Sequence, residues 1–177
     1  MSDQNIIERS IISEGPGPMA DTRWLSDDEQ EAWRTFMAAV RLMESALDRQ
    51  LRRDSGLPHA YFHALVVLSE APDREMTMTA LAERLLSSPS RLSHAVSRME
   101  SDGLVRRYKR PGDRRTTIAA LTEAGLEALR EAAPGHVDEV RRVVFDPLTD
   151  EQVERLREIS AAMLGALGSE SSTPWSA

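Results

Sequence analysis

The stretch TMTALAERLLSSPSRLSHAVSRMESDGLVRRYKRPGDRRTTIAALT, residues 77–122, decides the fold. It reads as two short helices across a tight turn, followed by a β-hairpin whose tip is crowded with arginine. The first helix is expected over residues 78–86, with Leu81, Ala82 and Leu85 facing inward. Ser87 and Ser88 make the turn. Ser88 suits the N-cap of the next helix and Pro89 its first position, where the missing N–H costs nothing. Leu92, Val96 and Met99 then repeat at steps of four and three, which places them on the core. The opposite face carries Ser90, Arg91, His94, Ser97, Arg98 and Ser101. Gly103 closes the helix, residues 104–109 read as a strand, Arg110-Pro111-Gly112-Asp113 as a turn, and residues 116–121 as the returning strand.

Charge singles out the same stretch. Residues 74–117 carry ten basic and five acidic side chains, a net of +5. The other 133 residues carry twelve basic and twenty-four acidic, a net of −12. A basic island on an acidic chain marks a surface that meets a polyanion. Ser88, Pro89, Ser90, Arg91, His94 and Arg98 stand at the helix end and face suited to base edges, and are candidate contacts to double-stranded DNA. Arg107, Lys109, Arg110, Asp113, Arg114 and Arg115 at the hairpin tip complete the set. Mutual repulsion among these cations is unfavourable in a free protein, which favours a binding use. Asp113 stands two residues before Arg115, a spacing that lets its carboxylate hydrogen-bond the guanidinium and hold it extended for a minor groove. The competing reading is a turn aspartate satisfying its own backbone.

The 177 residues suffice for one well-buried domain, or for a DNA-reading lobe with an assembly lobe. The chain has no cysteine, which removes disulfides, thiolate zinc sites and thiol-based redox sensing. No apolar run approaches a membrane span and no signal peptide is legible, so a cytoplasmic location is expected. Lys109 is the only lysine among 22 basic residues, a bias we read first as that of a GC-rich bacterial genome.

Around the basic segment the chain reads as helices. Residues 1–20, with Gly15-Pro16-Gly17-Pro18, are expected to be a disordered extension, and Met19 is a candidate start. Ser26 and Glu29 form a capping box for a helix reaching about residue 53, with Trp33, Phe36, Met37, Val40, Met43, Ala46, Leu47 and Leu51 on one face. Ser55-Gly56 and Pro58 stop it. A second helix from His59 is apolar on most sides, as a central core helix would be. A long helix over residues 122–145 contains Pro134-Gly135, which should kink it or split it. Thr149 to Gln152 is another capping box, opening a last helix with Val153, Leu156, Ile159, Met163 and Leu167 along one face. Residues 168–177 read as a frayed tail.

The run LSSPSRLSHAVSRMESDGLVRR, residues 86–107, followed by DRRTTIAALTEAG, residues 113–125, resembles the MarR family of winged helix-turn-helix regulators. The resemblance covers residues 25–167. It implies a mainly α fold with a small β-hairpin wing (α+β), built as a winged helix-turn-helix domain plus a helical dimerisation lobe. On that scheme residues 21–57 and 123–167 belong to the dimerisation lobe and residues 58–122 to the DNA-binding region. The helix before Gly103 would enter the major groove, and the Asp-x-Arg element at residues 113–115 would reach the minor groove. Arg91 and His94 stand where commoner members carry Thr and Arg, so the operator is not transferable. The resemblance further implies a homodimer joined through the first and last helices. The apolar faces of residues 137–144 and 153–167 ask independently for a partner surface.

Relatives in that family commonly bind a small aromatic or lipophilic acid in a cleft between lobe and reading head, which releases DNA. Trp24, Met37, Arg41, Tyr61 and His63 are the candidate lining here. His59 and His63 have the spacing of a metal pair, but no carboxylate or third histidine lies nearby in sequence, so no metal and no cofactor are expected. His136, beside Pro134-Gly135, is placed at the dimer junction as a pH-responsive group. The nucleophile, phosphate-loop, dinucleotide and zinc-protease signatures are all missing, and no enzyme is expected. The expected function is a sequence-specific DNA-binding regulator, a ligand-responsive repressor acting as a homodimer on a pseudo-palindromic operator. The alternative is a winged-helix architectural or protein-interaction module without a small-molecule inducer.

Overall fold

The structure, a computed structural model, describes residues 22–110, 112–113 and 115–167. The expectations for residues 1–20, Met19, Pro111, Arg114 and residues 168–177 lie outside the described residues. The chain divides into two compact units, Met1–Met43 and Glu44–Ala177. Helix α1 (Asp27–Ser55) runs from the first into the second.

In the first unit the expected capping box starts α1. Glu29 N–H donates to Ser26 Oγ (3.2 Å), and Ser26 N–H donates to Glu29 Oε2 (2.7 Å). These bonds hold the Glu29 carboxyl below its ordinary value. Trp24, Leu25, Trp33, Phe36 and Leu42 are exposed.

The second unit is built around α2 (His59–Glu70), which buries Phe62, Ala64, Leu65, Val67 and Leu68. Its breadth of apolar character is therefore that of a central helix, as the sequence led us to expect. Pro58 offers no capping side chain, so Asp48 of α1 supplies one, accepting the His59 N–H at 3.0 Å. A 3₁₀ turn (Pro72–Arg74) leads to strand β1 (Glu75–Thr77), and Thr77 caps helix α3 (Met78–Arg84) through the Ala80 N–H. Helix α3 stops earlier than expected. Leu86 takes φ 48°, and the N–H groups of Leu86 and Ser87 turn back to the Glu83 and Ala82 carbonyls at 3.1 and 2.9 Å. Helix α4 (Pro89–Ser101) begins as expected, with Ser88 Oγ accepting the Arg91 N–H and Pro89 at the first position. Gly103, at φ 74°, lets the chain leave α4 in a left-handed turn.

Strands β2 (Val105–Tyr108) and β3 (Ile118–Leu121) pair antiparallel, as the hairpin reading required. The sheet is nevertheless three-stranded, in the order β1-β3-β2, with Glu75 opposite Ala120 and Thr77 opposite Ile118. Three residues are too few to display an alternating pattern, which is why β1 went unread. The core joins Leu51, Leu65, Leu68, Leu81, Val96, Met99 and Val105, all fully buried.

Helix α5 (Glu123–Val140) is tied to the wing at its start. Thr122 Oγ1 donates to the Gly103 and Leu104 carbonyls (2.7 and 2.9 Å) and accepts the Gly125 N–H. A Cβ on Gly125 would stand 2.0 Å from the Leu104 carbonyl oxygen, so only glycine admits this approach. Of the kink or split expected at Pro134, the split does not occur: α5 runs through it to Val140. A proline removes a single rung of the ladder, which packing of Leu126, Leu129 and Ala132 outweighs. The irregularity falls instead at a π-helical turn, Arg141–Phe145, before helix α6 (Asp150–Ala166). Helix α6 starts at the expected Thr149/Gln152 capping box and buries no residue. Leu156, Ile159, Met163, Leu164 and Leu167 lie open on it.

Candidate nucleic-acid interface

Burial of Leu92, Val96 and Met99 fixes the rotation of α4. Ser90, Arg91, His94, Ser97, Arg98 and Ser101 are thereby turned to solvent. Among the described residues, no hydrogen bond or ion pair engages the side chains of Arg91, His94 or Arg98. Ser88 is occupied as a cap and Pro89 as the first helical residue, so these two shape the helix end. A cleft of about 790 Å³ separates α3 and this helix end from the wing, with Ser87, Pro89 and Ser93 on one wall and Arg107, Arg115 and Thr116 on the other. Helix end and wing therefore open onto one concavity.

The wing differs from the expected cluster of repelling cations. Arg107 does not project outward. Its N–H donates to Glu100 Oε1 (2.8 Å), and its Nε and Nη2 donate to Glu100 Oε2 (2.9 and 2.6 Å). It is a brace between the wing and α4. Arg110 Nη2 donates to Glu75 Oε1 at 2.8 Å, and the Tyr108 hydroxyl donates to the other oxygen of the same carboxylate. The Arg106 guanidinium lies over the Tyr108 ring, 5.0 Å from its centre. Tyr108 and Arg110 hold the Glu75 carboxyl below its ordinary value, and Arg107 does the same for Glu100. Lys109 and Arg115 are exposed.

Asp113 also departs from expectation. Its Oδ1 accepts the backbone N–H groups of Arg115 (2.9 Å) and Thr116 (3.1 Å), and Thr116 and then Arg115 hold its carboxyl below the ordinary value. The turn reading is the one observed: the carboxylate organises the backbone under Arg115 rather than its guanidinium. Asp113 N–H closes the turn onto the Arg110 carbonyl at 3.0 Å.

Trp24, Met37 and Arg41 of the candidate ligand set lie in the first unit, Tyr61 and His63 in the second. Tyr61 packs against the core. His63 borders a small cleft of about 160 Å³ with Ala64, Leu85, Leu92 and Ala95. The His59 and His63 rings meet at 4.1 Å, tilted by 56°, and His136 of α5 closes to 5.6 Å from His59 and 4.4 Å from Phe62. The third histidine that sequence proximity denied is thus supplied by folding. Burial lowers all three values, His63 to about 4. Among the described residues no set of three His, Asp or Glu side chains is arranged to hold a metal ion.

Sequence reasoning missed the roles of Glu75, Glu100 and Tyr108, and the stacking of Arg106 on Tyr108. Alternation along β2 could have flagged Arg106 and Tyr108 as one face; nothing local pointed to Glu75.

Two helices across a tight turn and an adjoining basic wing define a winged helix-turn-helix protein. The MarR family model matches residues 55–116. Sco3205 of Streptomyces coelicolor, a MarR family transcriptional regulator solved in complex with DNA, is 49% identical. That alignment covers 88% of this chain and 98% of Sco3205, with a TM-score of 0.79. AbsC, a MarR family regulator of the same organism, is 42% identical over 84% of this chain and 100% of AbsC, with a TM-score of 0.77. The homoprotocatechuate degradative operon repressor of Escherichia coli is 28% identical over 125 residues, 70% of this chain and 82% of the repressor. The chain belongs to the MarR family of transcriptional regulators, a family of regulators and not of enzymes. Among the described residues no helix is long and apolar enough to cross a membrane.

Proposed function

We propose that this regulator binds a pseudo-palindromic operator in double-stranded DNA as a homodimer, in the bacterial cytoplasm, and represses the adjoining genes. Helix α4 lies in the major groove, with Ser90, Arg91, His94 and Arg98 toward base edges. The wing tip, with Arg114 and Arg115, enters the minor groove, while Lys109 and Arg110 meet phosphates. The observation that carries this reading is the exposed, uncommitted Arg91/His94/Arg98 face beside a basic wing, on a chain of net charge −7. The DNA complex of Sco3205 supports it, and the name of the E. coli relative supports repression.

The second copy is placed on the open apolar faces of α6 and of the start of α1, which single chains rarely leave uncovered. A small aromatic or lipophilic acid remains the proposed effector, with Trp24, Met37, Arg41, Tyr61 and His63 as the residues to test. Selection of bound sequences from random DNA tests the central reading. A symmetric site should emerge, and affinity for it should fall on the order of a thousandfold between about 50 and 200 mM salt as six to ten phosphate contacts are screened. Recovery of no consensus sequence, with a nearly flat salt response, sinks it.

A further inference from the structure

We propose that Glu75 is a positioning residue for DNA binding, which from the far strand of the sheet fixes the phosphate-facing Arg110 of the wing. The inference rests on the reading of this protein as a DNA-binding regulator. It concerns a residue outside both the helix-turn-helix and the hairpin.

The sheet order makes the contact possible. Glu75 and Arg106 are both in register with Ala120 of the central strand β3. Residues in register share a face, so Glu75, Ala120 and Arg106 line one side, with Tyr108 two residues along on the same side. Two strand spacings, roughly 10 Å, separate β1 from β2. A bulky residue at position 120 would fill that gap. Alanine leaves it open, and the Glu75 carboxylate and the Tyr108 phenol meet across it. The second carboxylate oxygen takes the Arg110 guanidinium at 2.8 Å. Arg106, stacked on the Tyr108 ring, is oriented through the same phenol.

Exposure divides the labour. The Glu75 side chain is 17% exposed and Arg110 is 63% exposed, so the carboxylate lies beneath while the guanidinium keeps donors facing solvent. One bond to Glu75 fixes the fork and leaves the remaining donors for a phosphate. Without that anchor Arg110 is a flexible cation that must be ordered on binding, a cost that falls on affinity. Coulomb's law alone argues the other way, since a carboxylate near DNA repels it. The two effects predict opposite signs, which makes the proposal decidable.

The test compares wild type, Glu75→Gln, Tyr108→Phe, Arg110→Ala and Glu75→Gln/Arg110→Ala. Each is titrated at fixed salt with the selected operator and with random DNA. Glutamine keeps an acceptor for Tyr108 and the shape of the side chain, and thermal melting verifies the fold. Glu75→Gln should lose affinity by about tenfold on operator and random DNA alike, because Arg110 meets phosphates and its lost positioning outweighs the repulsion removed with the charge. Tyr108→Phe should reproduce part of the loss. In the double variant Glu75→Gln should add little to Arg110→Ala, since the pair acts as a unit. Tighter or unchanged binding by Glu75→Gln, or strictly additive losses, overturn the proposal while leaving the DNA-binding reading intact. A wild-type protein that ignores all DNA overturns both.

Discussion

Acidification should loosen the junction where α5 meets α2, and the effect can be placed on a pH axis. His59 and His63 from α2 and His136 from α5 pack against one another at 4.1 and 5.6 Å. Burial is the main cause that lowers each value, and each neighbouring imidazole adds to it. The facing carboxylates, Asp48 toward His59 and Glu44 toward His63, oppose the shift without cancelling it. His136 Nδ1 is buried with no partner among the described residues. Above pH 6.5 the folded and unfolded chains are both neutral at these sites, so the full stability is present. As pH falls through 6.5 the unfolded chain takes up a proton that folded His63 refuses until about 4, and stability is lost across that window. The gap corresponds to roughly 3 kcal/mol at full value, reduced to on the order of 1–2 kcal/mol because the ring is partly reached by solvent. Urea unfolding of wild type and His63→Gln should be followed between about pH 7.5 and 5, above the range where the depressed carboxyls titrate. The wild-type midpoint should fall with acid more steeply than that of the variant. Parallel curves would refute the reasoning and leave the cluster as ordinary packing.

Four substitutions separate reading from scaffolding. Arg91→Ala should relax discrimination at one base pair per half-site by roughly 1–3 kcal/mol with an unchanged melting temperature; equal losses on operator and random DNA would make it a phosphate contact instead. Leu92→Ala, a truncation of a side chain 3% exposed, should cost about 2–5 kcal/mol of stability in chemical denaturation before any change in base preference. Gly125→Ala forces a methyl to 2.0 Å from the Leu104 carbonyl oxygen and should cost about 1–3 kcal/mol or more; an unchanged melt would show that α5 can slide away from the wing. Asp113→Ala removes the acceptor for two backbone N–H groups and should weaken operator binding despite the loss of a negative charge, whereas tighter binding would show that the wing acts as diffuse charge.

What the sequence disclosed follows from the range of the interactions. Ser26 with Glu29, Thr149 with Gln152, and Ser88 with Pro89 are contacts within three residues, and all three helix starts were legible. The rotation of α4 followed from the spacing of Leu92, Val96 and Met99. The histidine cluster was not legible, because His136 meets His59 only once α5 has packed on α2. Nor was the strand β1, whose partner Ala120 is far along the chain. At Pro134 the local rule allowed a kink or a split, and the helix is not split: it continues to Val140, with Leu126, Leu129 and Ala132 buried ahead of the proline.

The wing shows why counting charges misled. Sequence tallied five acidic residues within the basic island as a partial offset to ten cations. Folding gives three of the five specific tasks. Glu100 braces Arg107, Glu75 anchors Arg110 and Tyr108, and Asp113 ties the backbone beneath Arg115. The repulsion expected among the wing's arginines is therefore relieved at Arg107 and Arg110, whose guanidinium groups are paired inside the free protein. Arg107, held by three hydrogen bonds to Glu100, is a poor candidate for counterion release. The salt dependence of binding should accordingly report fewer phosphate contacts than the wing has cations, and Arg107→Ala should damage the wing's attachment to α4 more than it lowers the slope.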